Sequence, residues 1–390
     1  MPIINRIADF HREMTEWRRD IHTHPETAFE ENRTSDIVAD KLTGFGIEVH
    51  RGLAGTGVVG TLVGNDGAGP AVLLRADMDA LHIEEKNDVD YRSEVPGKMH
   101  ACGHDGHTAM LLGAAKYLAE TRKFAGTVYF VFQPAEEHEG GGRVMVEEGL
   151  FDKFPADAVF GMHNFPGLEV GSFSVRSGAA MAAADSFDID IRGAGGHAAA
   201  PHFGSDAIVA GALMVTALQT VASRAIDPLR PVVVTVTQFH GGDTYNVIPE
   251  DVVLRGTVRT LDAGVQADAE AALRRIVEGV AASAGVTAEL NYVTGYPPTV
   301  NDEAESDFAA GIAAEIVGAD NVVRDANPKM GAEDFSFMLN ERPGCYVWIG
   351  NGPGESGCWL HNPHYDFNDE VLPLGASYWA RLVETRLGGR

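Results

Sequence analysis

Apolar residues recur at helical spacing from the start of the chain. Ile3, Ile7, Phe10, Met14, Trp17 and Ile21 form one stripe and predict an amphipathic helix over 3–21. A second helix is expected over about 32–42, ending near Gly44. Residues 71–76 read as a buried strand that turns acidic at Asp77-Met78-Asp79. Residues 108–121 read as a helix. Residues 127–132 read as a strand that stops at Gln133-Pro134 and is followed at once by Glu136-Glu137. Residues 157–161 read as a short strand followed by His163. Residues 345–349 read as a strand, from which Gly-rich sequence leads to His361.

Strands therefore alternate with helices, and polar clusters sit just beyond the C-terminal ends of the strands. In open α/β sheets ligands bind at that edge. The texture changes between about 182 and 293. Residues 186–192 alternate polar and apolar, and Ser205-Asp206 starts a helix running to about Ser223. Strands are expected over 232–239, 251–260 and 288–293, with a helix over 267–282. The order β-α-β-β-α-β predicts a ferredoxin-like module, one sheet with two helices on one face. The expected organisation is a catalytic domain of residues 1–181 and 294–390 with an inserted domain of 182–293.

The length of 390 residues accommodates this, and 45% hydrophobic residues supply core material. A net charge of -26 argues against nucleic acid and against anionic membrane surfaces as partners. Three cysteines, Cys102, Cys345 and Cys358, do not make a disulfide framework and fit a reducing compartment. The N-terminal residues carry Arg6, Asp9, Arg12 and Glu13 instead of an apolar signal core, and no uninterrupted apolar run reaches membrane-spanning length. A cytoplasmic protein is expected.

The chemistry concentrates in Met99-His100-Ala101-Cys102-Gly103-His104-Asp105-Gly106-His107. One thiol, three imidazoles and a carboxylate lie within nine residues, with glycines that let the backbone fold tightly around an ion. Cys102 and His104 read as metal ligands, His107 as a supporting residue, and His100 as weaker still. Glu136-Glu137 offers one carboxylate to a metal and one as a base for water. A solvated acidic turn is the equal alternative, since Glu139, Glu147 and Glu148 follow. Asp79 either orients a ligand or ends a strand. His163 and His361 follow strands, which raises both above an ordinary lone histidine. Gly193-Ala194-Gly195-Gly196-His197 presents His197 at a glycine-rich tip, or is a plain turn.

Other signals fail. Gly55-Thr56-Gly57-Val58-Val59-Gly60 spells a dinucleotide fingerprint but leads into a strand, whereas the fingerprint must open a helix. No Walker loop, G-x-S-x-G elbow or H-E-x-x-H is present. Cys358-x-x-His361 lacks the second pair that a closed zinc site needs.

These residues, with Arg18–Glu26, Arg75–Leu81, Gln133–Glu137, Gly161–His163, Gly195–His197, Asn246–Pro249 and Gly331–Phe335, carry a resemblance over essentially the whole length. The chain resembles the hippurate hydrolase/aminoacylase branch of the dinuclear metallopeptidase superfamily, related to carboxypeptidase G and to auxin-conjugate amidohydrolases. The resemblance implies an α/β fold with a mixed, mostly parallel sheet, helices on both faces and an inserted α+β ferredoxin-like domain. It implies two divalent metal ions held by Cys102, His104, Glu137, His163 and His361. It further implies Glu136 as general base, Asp79 as support for the metal site, His197 as oxyanion stabiliser and Asn246 as a contact for the substrate carboxylate. The usual His-x-Asp motif of the wider superfamily reads Asp77-Met78-Asp79 here, with Cys102 and His104 supplying ligands instead, which fits this branch. The thiolate favours zinc; manganese, cobalt and nickel also suit the donor set.

The expected activity is metal-dependent hydrolysis of N-acyl amino acids, with a homodimer by analogy alone. A dipeptidase or an N-acetyl-diaminopimelate deacetylase is the alternative within the same chemistry. A non-catalytic binding protein is disfavoured because every expected residue is present.

Overall fold

The computed structural model describes residues 3–137, 139–352 and 358–388. Helices α1 (Asn5–Ala8), α2 (His11–Thr23) and α3 (Asn32–Gly44) open the chain. Strands β1 (Glu48–Leu53), β2 (Gly57–Val63) and β3 (Ala71–Asp77) lead to α4 (His104–Thr121). Strands β4 (Thr127–Gln133), β5 (Ala158–Phe165) and β6 (Phe173–Ser174) follow. Next come β7 (Ala183–Arg192), α5 (Ala207–Leu218), β8 (Val232–His240), β9 (Asp251–Thr260), α6 (Ala263–Ala284) and β10 (Thr287–Tyr296). The last main elements are α7 (Glu303–Val317), β11 (Val322–Val323), β12 (Gly344–Gly350) and α8 (Leu372–Arg386).

Two compact units emerge: Met1–Gly178 with Val300–Asn327 and Asp334–Arg390, and Ala179–Thr299 with Pro328–Glu333. The sequence pattern assigns Pro328–Glu333 to the catalytic part. Its backbone instead bonds the second unit, with Lys329 N–H donating to the Ala180 carbonyl and Ala182 N–H to the Lys329 carbonyl.

The first unit is built on an eight-stranded sheet in the order β1-β2-β4-β3-β5-β12-β6-β11. Its centre, β4-β3-β5-β12, pairs in parallel, so four strands end at one edge. The flanking pairs β1-β2, β2-β4 and β12-β6 are antiparallel. The central strands are buried along nearly their whole length, which is why they read as continuous apolar runs. Helix α4 is buried from His104 through Ala115 and packs against α2 and α8. A helix apolar on every side is an interior helix.

Several boundaries in this unit differ from those the sequence predicts. The helix expected over 3–21 breaks at Asp9-Phe10, where Phe10 N–H reaches back only to the Ile7 carbonyl. Ile7, Phe10, Met14, Trp17 and Ile21 stay buried on one stripe across the break, so the periodicity hides it. Helix α4 begins at His104, four residues before the expected start, and its entry is turned by Gly103 at φ +96°. Strand β5 runs on to Phe165, so His163 lies within a strand and not after one.

The second unit carries a four-stranded sheet in the order β8-β9-β7-β10, every pairing antiparallel. This is the ferredoxin-like arrangement, with α5 and α6 packed on the sheet around Phe187, Ile189, Leu254, Met214 and Leu273. Helix α6 starts at Ala263, earlier than expected, because the Asp262 side chain accepts from Val265 N–H as its cap. Residues Ala207–Ala225 are long and apolar enough, by length and composition, to cross a membrane. In this unit Ala207, Ala210, Met214 and Leu218 of that stretch face the core.

Candidate metal centre

The parallel pairing of β3, β4 and β5 collects the candidate residues. Beyond β3 stands Asp79; beyond β4, Pro134-Ala135 turns the chain into Glu136-Glu137; β5 contributes His163. The Cys102-Gly103-His104 corner lies over the same edge. Gly103 has no substitute there: a Cβ on it would sit 2.5 Å from Asn164 Oδ1 and 2.8 Å from the Tyr365 hydroxyl. His361, at φ +61°, is tied down by its own N–H donating to the Ala101 carbonyl at 2.8 Å. Part of the Gly-rich run before it, 353–357, lies outside the described residues.

Among the groups of described residues in which donor atoms converge, two contain Cys102. Cys102, His104 and His163 place their ligand atoms within 4.8 Å of one another, and so do Cys102, Glu137 and His361. The sulfur of Cys102 belongs to both. The Cys102 thiol donates to His163 Nε2 at 3.3 Å, and His361 Nε2 stands 3.0 Å from Glu137 Oε1. A third set joins His104 and Glu137 to Glu136, which is buried.

Hydrogen bonds set which ring nitrogens of His163, His104 and His107 stay open to a ligand. His163 Nδ1–H donates to the Asn164 carbonyl at 2.7 Å, leaving Nε2 toward Cys102. His104 Nδ1–H donates to Asp79 Oδ1 at 3.2 Å, and its buried Nε2 makes no hydrogen bond among the described residues. An orphaned buried ring nitrogen is a natural metal ligand. His107 is different: Nδ1 binds Asp77 Oδ1 at 2.6 Å and Nε2 accepts from Asn164 N–H at 3.0 Å. Both of its nitrogens are engaged by hydrogen bonds, although its donor atom also lies within 4.8 Å of those of Asp77 and His104.

The electrostatics favour a cation. Burial pushes the Cys102 thiol well above its usual range, and Glu137, Glu136 and Asp77 push the same way. A thiol so placed ionises only when positive charge arrives. Burial opposes the charge on His104, but Asp77, Asp79 and Glu137 lift it to about 10. Burial, with His107 also contributing, holds His163 well below its usual value and therefore neutral. Burial raises Glu137, yet His361 and His104 outweigh it and hold the carboxylate below its usual range. Thiol, imidazole and carboxylate donors of this kind fit divalent transition metals.

The second unit places His197 and Asn246 together. Gly196–His197 pairs with Val247–Ile248 in a two-stranded ribbon, and Ala198 N–H donates to the Asn246 carbonyl at 3.0 Å. Both side chains are exposed.

Comparison with known proteins identifies the family. The model of peptidase family M20/M25/M40 matches residues 73–385. The chain belongs to this family. The hippurate hydrolase of Campylobacter jejuni is 40% identical over 383 residues, spanning 98% of this chain and 99% of its own. The N-acetylcysteine deacetylase of Bacillus subtilis is 38% identical, spanning 96% and 97%. A Bacillus subtilis crystal structure described as a dinuclear metal binding peptidase of the M20 family superposes with a TM-score of 0.85 at 34% identity, covering 97% of this chain and 99% of its own. This M20 chain is accordingly a metal-dependent hydrolase of amide bonds.

Several residues that surround these groups have roles that are not evident from sequence. Arg75, fully buried in β3, donates to Gln133, Asp77 and Asp334 at 2.8, 2.6 and 2.9 Å. Its charge inside an apolar run is one signal, and its place in the Arg75–Leu81 stretch that carries the resemblance is another. Asn164 and Tyr365 hydrogen-bond each other beneath Gly103 and carry no sequence signal at all. His100, the weakest of the histidine candidates, lies outside both ligand sets, and burial pushes it down to about 3.

Proposed function

We propose that this chain hydrolyses N-acyl amino acids, hippurate-like compounds among them, to a carboxylate and a free amino acid. The observation that carries this reading is the pair of ligand sets sharing the Cys102 sulfur, with Glu136 grouped beside them. The two named relatives support the same bond type, since hippurate and N-acetylcysteine are both amides of an amino-acid nitrogen.

Cys102, His104 and His163 are the residues to hold one divalent cation, and Cys102, Glu137 and His361 the other. Zinc suits the thiolate and manganese the remaining donors. Such ions, when bound, supply Lewis acidity toward the amide carbonyl and toward water. Glu136 accepts the proton of the attacking water and returns it to the departing amine. Asp79 keeps His104 oriented through its Nδ1–H. His197 and Asn246, side by side on the exposed ribbon, are the second unit's candidates for oxyanion stabilisation and for holding the substrate carboxylate.

The test is amine release from a panel of N-acyl amino acids, with dipeptides and acetylated diamino acids alongside. The protein is assayed chelated, then refilled with zinc, manganese, cobalt or nickel. Activity is expected to vanish with chelator and return with metal. Glu136→Gln should lower kcat by about 10²- to 10⁴-fold at unchanged metal content. No release from any N-acyl amino acid by metal-replete protein, or near-normal kcat in Glu136→Gln, refutes the reading. A preference for dipeptides moves it to a dipeptidase.

A further inference from the structure

The turn that bears Glu136 is gripped on both sides. Glu137 N–H donates to Asp79 Oδ2 at 2.9 Å, and Ala135 N–H donates to Glu31 Oε1, also at 2.9 Å. The amides before and after Glu136 thus end on two different buried carboxylates, brought from the far end of β3 and from the start of α3.

The grip at Ala135 holds a conformation that needs holding. Ala135 has φ +53°, the left-handed region that residues with a Cβ seldom occupy. The same Glu31 Oε1 accepts from Phe29 N–H at 3.1 Å, and Phe29 is left-handed as well, at φ +60°. Glu31 is itself locked: it is fully buried, and its Oε2 accepts from the Thr56 hydroxyl at 2.8 Å. Thr56 lies in the Gly55–Gly60 run that spells a nucleotide fingerprint without being one. Its hydroxyl has a definite task here, to seat Glu31.

We propose that Glu31, seated by Thr56, is a positioning residue that fixes the left-handed turn at Ala135 and so aims the Glu136 carboxylate. The proposal rests on the reading of Glu136 as the proton acceptor. Glu31 belongs to neither ligand set, and Glu137, which does, has its own N–H held by Asp79, so metal stoichiometry separates a lost aim at Glu136 from a lost ligand.

The experiment compares Glu31→Ala, Glu31→Gln and Thr56→Val, with Glu136→Gln as reference, in the metal-loaded full chain. The readouts are kcat, KM, metal stoichiometry and thermal midpoint. Glu31→Ala should lower kcat by about ten- to a hundredfold with KM and metal stoichiometry unchanged, the size of effect expected from a small misplacement of a catalytic group. Glu31→Gln keeps an acceptor oxygen and should recover most of that loss, a rescue that a role in bulk stability would not produce. Thr56→Val removes only the hydroxyl and should fall between them, which keeps the test open if Glu31→Ala does not fold. A wild-type kcat in folded, loaded Glu31→Ala or Thr56→Val overturns the proposal, and so does a fall in kcat that merely tracks lost metal. If Glu136→Gln is inactive while all three other variants turn over normally, only the positioning role falls. If Glu136→Gln turns over normally, the reading of Glu136 falls and the positioning role with it.

Discussion

Replacing His22 by glutamine tests the ion network behind the metal centre. His22 and Arg18 lie one turn apart on α2 and both are fully buried. His22 Nδ1 binds Asp105 Oδ2 at 2.8 Å, and its Nε2 lies 3.3 Å from Glu85 Oε1. Arg18 reaches Asp105, Asp366 and Asp369 at 3.5, 3.1 and 2.8 Å. Burial alone would push His22 down, but Asp105 and Glu85 override it and raise its pKa from 6.5 to about 9. The imidazolium is therefore the native form at neutral pH. A folded-state value above the unfolded one stabilises the fold fully below about pH 6.5, and the contribution disappears as pH rises through about 9. The difference corresponds to about 3 kcal/mol. Glutamine keeps hydrogen-bonding capacity and cannot carry the charge. All four tryptophans, Trp17, Trp348, Trp359 and Trp379, fall in the first unit, so their fluorescence reports the unfolding of that unit. In urea titrations the variant should lie about 3 kcal/mol below wild type at pH 6 and converge with it above pH 9.5. Equal stability at pH 6, or the same pH slope in both proteins, would refute the reasoning.

Two further substitutions probe the layer around the ligands. Asp79→Ala removes the acceptor for both His104 Nδ1–H and Glu137 N–H. It should weaken metal binding by about 10- to 100-fold, measured by competition with a chromophoric chelator. Arg75→Met removes the buried guanidinium that Asp77 and Asp334 share and should cost about 3–5 kcal/mol in urea unfolding.

Much of the molecule is legible in the amino-acid sequence. Strands β3, β4 and β12 follow from continuous apolar runs and helices α3 and α6 from residue periodicity, because burial is written locally in the chain. The candidate ligand types are legible for the same reason: Cys102, Gly103 and His104 are neighbours, and Glu136-Glu137 follows a strand. Convergence is not. The sulfur of Cys102 meets His163 across 61 residues of chain, and His22 meets Asp105 across 83. Those meetings depend on the parallel register of β3, β4 and β5 and on the packing of α2 against α4. The resemblance to known hydrolases implies candidate ligands, and the hydrogen bonds of the folded state distinguish His104 from His107. His104 and His107 are alike in sequence context, yet one keeps a bare Nε2 and the other spends both nitrogens on Asp77 and Asn164. Glu31 is the furthest case. It is an ordinary acidic residue before a helix, and its grip on Ala135 exists only once α3 and the end of β4 have come together. Local sequence sets which groups are available; long-range packing sets their lone pairs, their charge and their aim.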